Sequence, residues 1–266
     1  MICDFCIKKY CKYYKEEHLY CKSLLCRFLR MICFQSQTSK HYAGIIYIKQ
    51  KKYEKAVKEF LKIVKQDEKF PNAYYNLALS YQMLNNFDEA IKYYLKSIEL
   101  AQNEYDSYYN IGVIFLNQKD YKKAKENFKK ASEADAEQAL AKFYMVYCDD
   151  QLSDYYTNEE LAEKIINEYL SFEKYKNKIE HYYSIIATVY AKIGNLKESK
   201  KYCELALDEN LSDIQCYRLL GIIYMLENDL EEAEYFINIG KELESEDKDI
   251  IEISKYMIKY KRERGL

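Results

Sequence analysis

The stretch "NAYYNLALSYQMLNNFDEAIKYYLKSIEL", residues 72–100, contains two helical apolar patterns separated by Asn85 and Asn86, and each carries one small residue, Ala78 and Ala90, among Tyr and Leu. A shift of 34 residues in either direction accounts for that arrangement. Windows opening at residues 37, 71 and 105 align without a gap. Their eighth positions are Gly44, Ala78 and Gly112, their eleventh Tyr47, Tyr81 and Phe115, their twentieth Ala56, Ala90 and Ala124, and their twenty-fourth Phe60, Tyr94 and Phe128. Windows at 180 and 214 repeat the pattern with Ala187 and Gly221, Tyr190 and Tyr224, Ser199 and Ala233, and Cys203 and Ile237. A recurrence at this period marks a chain built from copies of one supersecondary unit.

Each window predicts a pair of helices, with turn chemistry between them at Lys51-Lys52, Asn85-Asn86, Lys119-Asp120, Gly194-Asn195 and Asn228-Asp229. One such hairpin has too little apolar surface to bury alone, so copies must stack. The small eighth and twentieth positions are expected to let the two helix backbones cross closely.

The pattern resembles the tetratricopeptide repeat, whose motif places a large residue at 4, Leu at 7, Gly or Ala at 8, Tyr at 11, Ala at 20, an aromatic at 24 and Ala at 27. The window from 71 matches with Tyr74, Leu77, Ala78, Tyr81, Ala90 and Tyr94 and departs with Ser97. The window from 105 matches with Tyr108, Ile111, Gly112, Phe115, Ala124, Phe128 and Ala131. The motif's Pro at 32 is missing, with Glu68, Gln102, Ala136, Leu211 and Ser245 in its place, so the second helices are expected to end less sharply.

The resemblance implies an all-α, right-handed α-solenoid of these hairpins with a C-terminal capping helix. Its repeats would be 37–70, 71–104, 105–138, a degenerate 139–179, 180–213 and 214–247, together forming a solenoid over 37–247. A Cys-rich N-terminal segment, 1–36, precedes it, and a capping helix with a basic tail, 248–266, follows. In the degenerate repeat "TNEE", from Thr157 to Glu160, has the spacing of a capping box opening the second helix after a long inner loop.

Composition agrees with the all-α class and narrows the function. The 266 residues include one Pro and six Gly, too few turn formers for a strand-rich fold. Lys plus Arg total 41 against 43 acids, interspersed in sign, which gives nucleic acid no continuous track. Nothing approaches the ~20 apolar residues of a membrane span. The N-terminus lacks the ordered parts of a secretory signal, and nine irregularly spaced Cys read as reduced thiols, so a cytoplasmic location is expected.

Proteins of this family present a concave surface lined by the first helices. Positions 5, 9 and 12 supply His41, Ile45 and Ile48, then Tyr75, Leu79 and Gln82, then Tyr109, Val113 and Leu116. Position 6 adds Asn76 and Asn110, whose carboxamides offer a donor and an acceptor to a peptide backbone. Tyr75, Asn76, Leu79, Tyr109, Asn110 and Val113 are therefore the candidate peptide contacts. His41, Ile45, Asp106 and Asn110 stand where the family's clamp for chaperone tails needs Lys, Asn and Arg, which argues against that ligand.

Six of the nine Cys fall in the first 36 residues. Cys3 and Cys6, with His18 and Cys21, have the spacing of a tetrahedral zinc site, the one cofactor the chain suggests. The alternative for this segment is an amphipathic helix, "LYCKSLLCRFLRMICF", with Cys as small apolar filler. Gly-rich phosphate loops and catalytic triads have no counterpart in the sequence. The expected function is a non-enzymatic scaffold for a protein or peptide partner, self-association being open to an apolar groove. A zinc or redox module with the repeats as docking arm is the alternative.

Overall fold

A computed structural model of the chain describes residues 37–70, 72–135, 139–153 and 158–263, and every regular element among them is a helix. The chain divides into two compact units, one ending at residue 135 and one beginning at 136. The first holds three hairpins: α1 (Gln37–Lys49) with α2 (Tyr53–Gln66), α3 (Ala73–Gln82) with α4 (Phe87–Glu99), and α5 (Glu104–Asn117) with α6 (Tyr121–Ala134). The second holds α7 (Ala139–Leu152), α8 (Glu159–Leu170), a 3-10 turn (Glu173–Lys178), α9 (Tyr182–Lys192), α10 (Leu196–Glu209), α11 (Ile214–Leu226), α12 (Leu230–Leu243) and α13 (Lys248–Glu263).

The small eighth position does more specific work than easing a backbone crossing. A Cβ added to Gly44 would stand 2.5 Å from Phe60 Cζ, one on Gly112 2.7 Å from Phe128 Cε1, and one on Gly221 2.7 Å from Ile237 Cγ1. Position 8 is thus the seat of the residue at position 24, which reaches across from the second helix. Phe60, Tyr94, Phe128, Cys203 and Ile237 are all fully buried. The twentieth residue is buried in every one of these hairpins, and where it is Ser199 its hydroxyl donates to the Ala187 carbonyl at 2.8 Å.

A second contact closes the other side of the hairpin. Tyr81 stacks on Tyr93 with ring centroids 5.6 Å apart, Tyr190 on Tyr202 at 5.4 Å, and Tyr224 on Phe236 at 5.4 Å. These are positions 11 and 23, and interplanar angles of 8°, 17° and 3° make them near-parallel stacks.

The turns within hairpins are equally regular. Lys51, Asn85, Lys119, Gly194 and Asn228, all at position 15, adopt positive φ between 56° and 77°. The next residue caps the second helix in four hairpins, Asn86, Asp120, Asn195 and Asp229 each accepting from the backbone N–H three residues on. The second helices also end more sharply than their missing Pro suggests. Asp67, Asp135 and Asn210, all at position 31, are extended. Asp67 Oδ1 accepts from the Lys69 N–H at 3.0 Å and Asn210 Oδ1 from the Ser212 N–H at 3.0 Å, Asx turns that stop the helix as Pro otherwise would. Ser97, the departure from Ala, is buried and donates to the Gln102 carbonyl at 2.8 Å.

In the second unit, α8 starts one residue later than the capping box at Thr157 implies. Asn158 is the N-cap, accepting from the Leu161 N–H at 3.0 Å, while Thr157 lies outside the described residues. Asp150 of α7, only 3% exposed, pairs with Lys192 of α9 at 3.0 Å and accepts from Tyr169 of α8 at 3.3 Å, tying three helices together. Helix α13 buries Ile250, Ser254 and Met257 but leaves Tyr256 and Ile258 exposed, so its outer face is less polar than a cap demands.

Gly112→Leu should destabilise the protein by ~1 to 3 kcal/mol through overpacking on Phe128, and Phe128→Leu in the same chain should recover part of that loss; urea unfolding of the single and double variants measures both. Lys119→Gly should stabilise by about 0.5 to 1 kcal/mol by relieving the left-handed backbone, and Gly194→Ala, whose added methyl meets nothing within 4 Å, should cost about 1 kcal/mol for the same reason.

Candidate functional site

In the first unit α1, α3 and α5 each turn position 7 or 8 into the core and leave positions 5 and 9 half-buried along one face, as is position 6 in α3 and α5, whereas Tyr42 at position 6 of α1 is exposed. Tyr75, Asn76 and Leu79 on α3 and Tyr109, Asn110 and Val113 on α5 all lie on that face, so the six sequence-selected residues form one surface.

The residues of this surface are linked from hairpin to hairpin. Asn110 Nδ2 donates to the Tyr75 hydroxyl at 3.2 Å, and Asn76 Nδ2 lies 3.1 Å from His41 Nε2. In both cases position 6 of one hairpin reaches position 5 of the hairpin before it. One N–H of each carboxamide is therefore engaged internally, while the second N–H and the carbonyl oxygen have no partner among the described residues. This narrows what each carboxamide can offer a peptide to one N–H and the carbonyl oxygen.

Position 5 is also more deeply built in than its spacing suggested. Tyr75 lies against Tyr94 with centroids 5.7 Å apart, Tyr109 against Phe128 at 5.6 Å, and His41 against Phe60 at 5.7 Å. Each packs on the position-24 side chain that occupies the seat of position 8. Replacing these rings by Ala therefore disturbs the hairpin as well as the surface. Leu79 and Val113 carry no such duty and are the cleaner probes.

Electrostatics follow from the same burial. Burial holds His41 below its ordinary 6.5, which keeps the ring neutral and leaves Nε2 able to accept from Asn76. Burial first and the Asp106 carboxylate second push the Tyr75 phenol up, so it remains protonated while its oxygen accepts from Asn110. Asp106 is itself raised, by burial and then by Asp135.

The second unit treats its corresponding face differently. Ser184 donates to the His181 carbonyl, Thr188 to the Ser184 carbonyl, and Arg218 pairs with Asp247 and Asp249 and bonds Gln215. At positions 9 and 12 of the window from 214, Ile222 is exposed and Met225 is buried. Cys148, Cys203 and Cys216 are all buried. Cys203 and burial push the Cys216 thiol up, the opposite of a reactive thiolate.

The candidate zinc ligands Cys3, Cys6, His18 and Cys21, with the rest of 1–36, lie outside the described residues. Among the described residues no group of three or more His, Cys, Asp and Glu could hold a metal ion, and no helix is long and apolar enough to cross a membrane.

Comparison with known proteins agrees with this geometry. Family models of the tetratricopeptide repeat match residues 69–137 and 180–213, and a further model described as TPR repeat matches 44–85. Over these stretches the chain is built of tetratricopeptide repeats. No curated protein matches the sequence. Among solved structures it resembles a chain of the Cut9–Hcn1 hetero-tetramer of the APC/C, with a TM-score of 0.70 and 14% identity over 88% of this chain. It spans only 45% of that chain. It also resembles PilF of Pseudomonas aeruginosa, with a TM-score of 0.65 and 15% identity over 83% of this chain and 97% of that one. A third likeness is to YrrB, described as a TPR protein with an unusual peptide-binding site, at 0.51 and 17% over 74% and 97%. At these identities the likeness is one of fold, a fold that supports a protein-interaction scaffold.

The neutral His41 ring makes the first unit sensitive to acid. Because its folded-state value lies below 6.5, the native state binds fewer protons than the unfolded chain, so His41 contributes a destabilisation absent well above 6.5 that grows as pH falls through it. His41→Gln, which keeps an acceptor for Asn76, should flatten the fall in urea midpoint between about pH 7.5 and 5.5 relative to the parent chain.

Proposed function

We infer that this protein is a non-enzymatic scaffold whose first unit binds a peptide or partner segment along the face carrying Tyr75, Asn76, Leu79, Tyr109, Asn110 and Val113. The observation that supports this most directly is the division of labour within α3 and α5. Their packing residues, Leu77, Ala78, Ile111 and Gly112, are closed against the core, while Leu79 and Val113 stand half-open on the opposite side. An apolar row left open beside a regular line of carboxamide carbonyls suits an extended segment that places apolar side chains on Leu79 and Val113 and offers N–H groups to Asn76 and Asn110. The peptide site ascribed to YrrB on a similar fold lends support.

Tyr75 and Tyr109 serve this reading as rigid walls. Their rings are fixed by Tyr94 and Phe128, so little conformational freedom is lost when a ligand packs against them. The buried thiols support placing the protein in a reducing compartment, the cytosol.

Affinity capture from the source cytosol with the parent chain and with a Leu79→Lys, Val113→Lys variant tests the reading. A protein recovered by the parent and lost by a variant of unchanged thermal midpoint identifies the ligand of this face; recovery of the same proteins by both removes the face from the site.

A further inference from the structure

The outer side of the first hairpin lacks one half of a contact that other hairpins complete within themselves. Tyr81, Tyr190 and Tyr224 each carry a parallel ring from position 23. Tyr47 holds the same position 11, but position 23 of its hairpin is Glu59, and no aromatic ring packs on Tyr47 among the described residues. Phe115 also lacks a partner ring, with Asn127 opposite. There, however, Lys123 lies 5.2 Å from the ring centroid and is itself held by Asp120 at 2.9 Å. Over Tyr47 stands only Lys55, at 5.9 Å, with no carboxylate partner among the described residues.

The unfilled place is a depression of about 500 Å³ floored by Tyr47 and Leu61. Its rim is basic. Lys55, Lys58, Lys62 and Lys65 follow one another at spacings of three, four and three, which puts them on one face of α2. Lys62 is paired with Glu59 at 2.7 Å, which neutralises the carboxylate beside the slot. Lys58 and Lys65 are exposed and have no acidic partner among the described residues. In α4, by contrast, Lys92 and Lys96 are tied to Glu89 and Glu99.

We propose that this outer face binds an acidic peptide segment, one aromatic side chain of which stacks on Tyr47 in the place that position 23 fills elsewhere, while Lys58 and Lys65 pair its carboxylates. Stacking on a ring already held in the hairpin supplies the anchor, and the lysines supply the sign of the partner. A nucleic-acid strand fits the observations less well, because the lysines of the neighbouring α4 are tied to Glu89 and Glu99, which interrupts any track for a longer backbone. This surface is separate from the face carrying Leu79 and Val113, and the two stand or fall independently.

The test uses the full chain and a fluorescent peptide of alternating Asp and Glu with one central Tyr, its Tyr→Ala counterpart, and single-stranded oligouridylate of similar length, read by anisotropy. The Tyr peptide should bind about tenfold tighter than its Ala counterpart, and its binding should weaken as sodium chloride rises to about 0.5 M. Glu59→Tyr, which supplies the missing ring from within, should reduce that binding about tenfold without lowering the thermal midpoint. Lys58→Glu with Lys65→Glu, both at exposed positions, should do so independently of any packing change, whereas Leu79→Lys should leave it intact. Equal binding of the Tyr and Ala peptides, indifference to the lysine reversals, or tighter binding of the oligouridylate would overturn the proposal.

Discussion

The contact between positions 8 and 24 is the constraint from which the rest of the first unit follows. A ring at 24 can reach the first helix only if position 8 has no side chain, or a single methyl, in its way. The hairpins balance the two volumes. Gly44 and Gly112 receive Phe60 and Phe128, and Gly221 receives the branched Ile237, each at a distance that leaves no room for a further carbon. Once the ring at 24 is seated, its outer edge becomes the wall on which position 5 packs, as Tyr75 does on Tyr94 and Tyr109 on Phe128. Position 5 in turn receives the carboxamide of the next hairpin's position 6. A packing rule inside one hairpin thereby sets the hydrogen bonds between hairpins.

The second unit keeps the seat but changes its occupants. Cys203 at position 24 is too small to support a ring at position 5, and Ser184 stands there instead, turned back onto the His181 carbonyl. Without the aromatic pair, the corresponding face is held by hydrogen bonds and by the Arg218 pairs to Asp247 and Asp249. Where the repeat is least regular, between α7 and α9, an ion pair of Asp150 and Lys192 is added to the apolar packing of Phe143 on Tyr169 and Tyr182. Such a pair contributes little net stability, but removing one partner leaves a desolvated charge, so it specifies which helices meet.

Exposure sorts the position classes by role. Positions 7, 8, 20 and 24 are consumed by the core, and positions 11 and 23 by the outer stack in three of the hairpins. Leu79 and Val113 at position 9, and the outer side of Tyr47 at position 11 of the first hairpin, are apolar places that no stacked ring covers. A surface that packing does not require, next to polar groups of regular spacing, is where a partner can bind without unfolding anything.

The sequence by itself determined the number and register of the hairpins and their turns, because a period that pairs Gly44, Ala78 and Gly112 with Phe60, Tyr94 and Phe128 is a property of the residue order alone. It also placed the six candidate contacts on one face, since spacing along a helix fixes which residues are neighbours. It did not show that Tyr93, Tyr202 and Phe236, adjacent to position 24, serve a separate stack, because neighbours in a helix point to different sides and only the facing helix reveals what each side meets. Nor did it show that Asn76 and Asn110 each spend one N–H on His41 and Tyr75, residues 35 positions away. Those assignments were left to the tertiary structure, because a hydrogen bond between hairpins depends on the distance set by the ring between them, and that distance is not written in either residue.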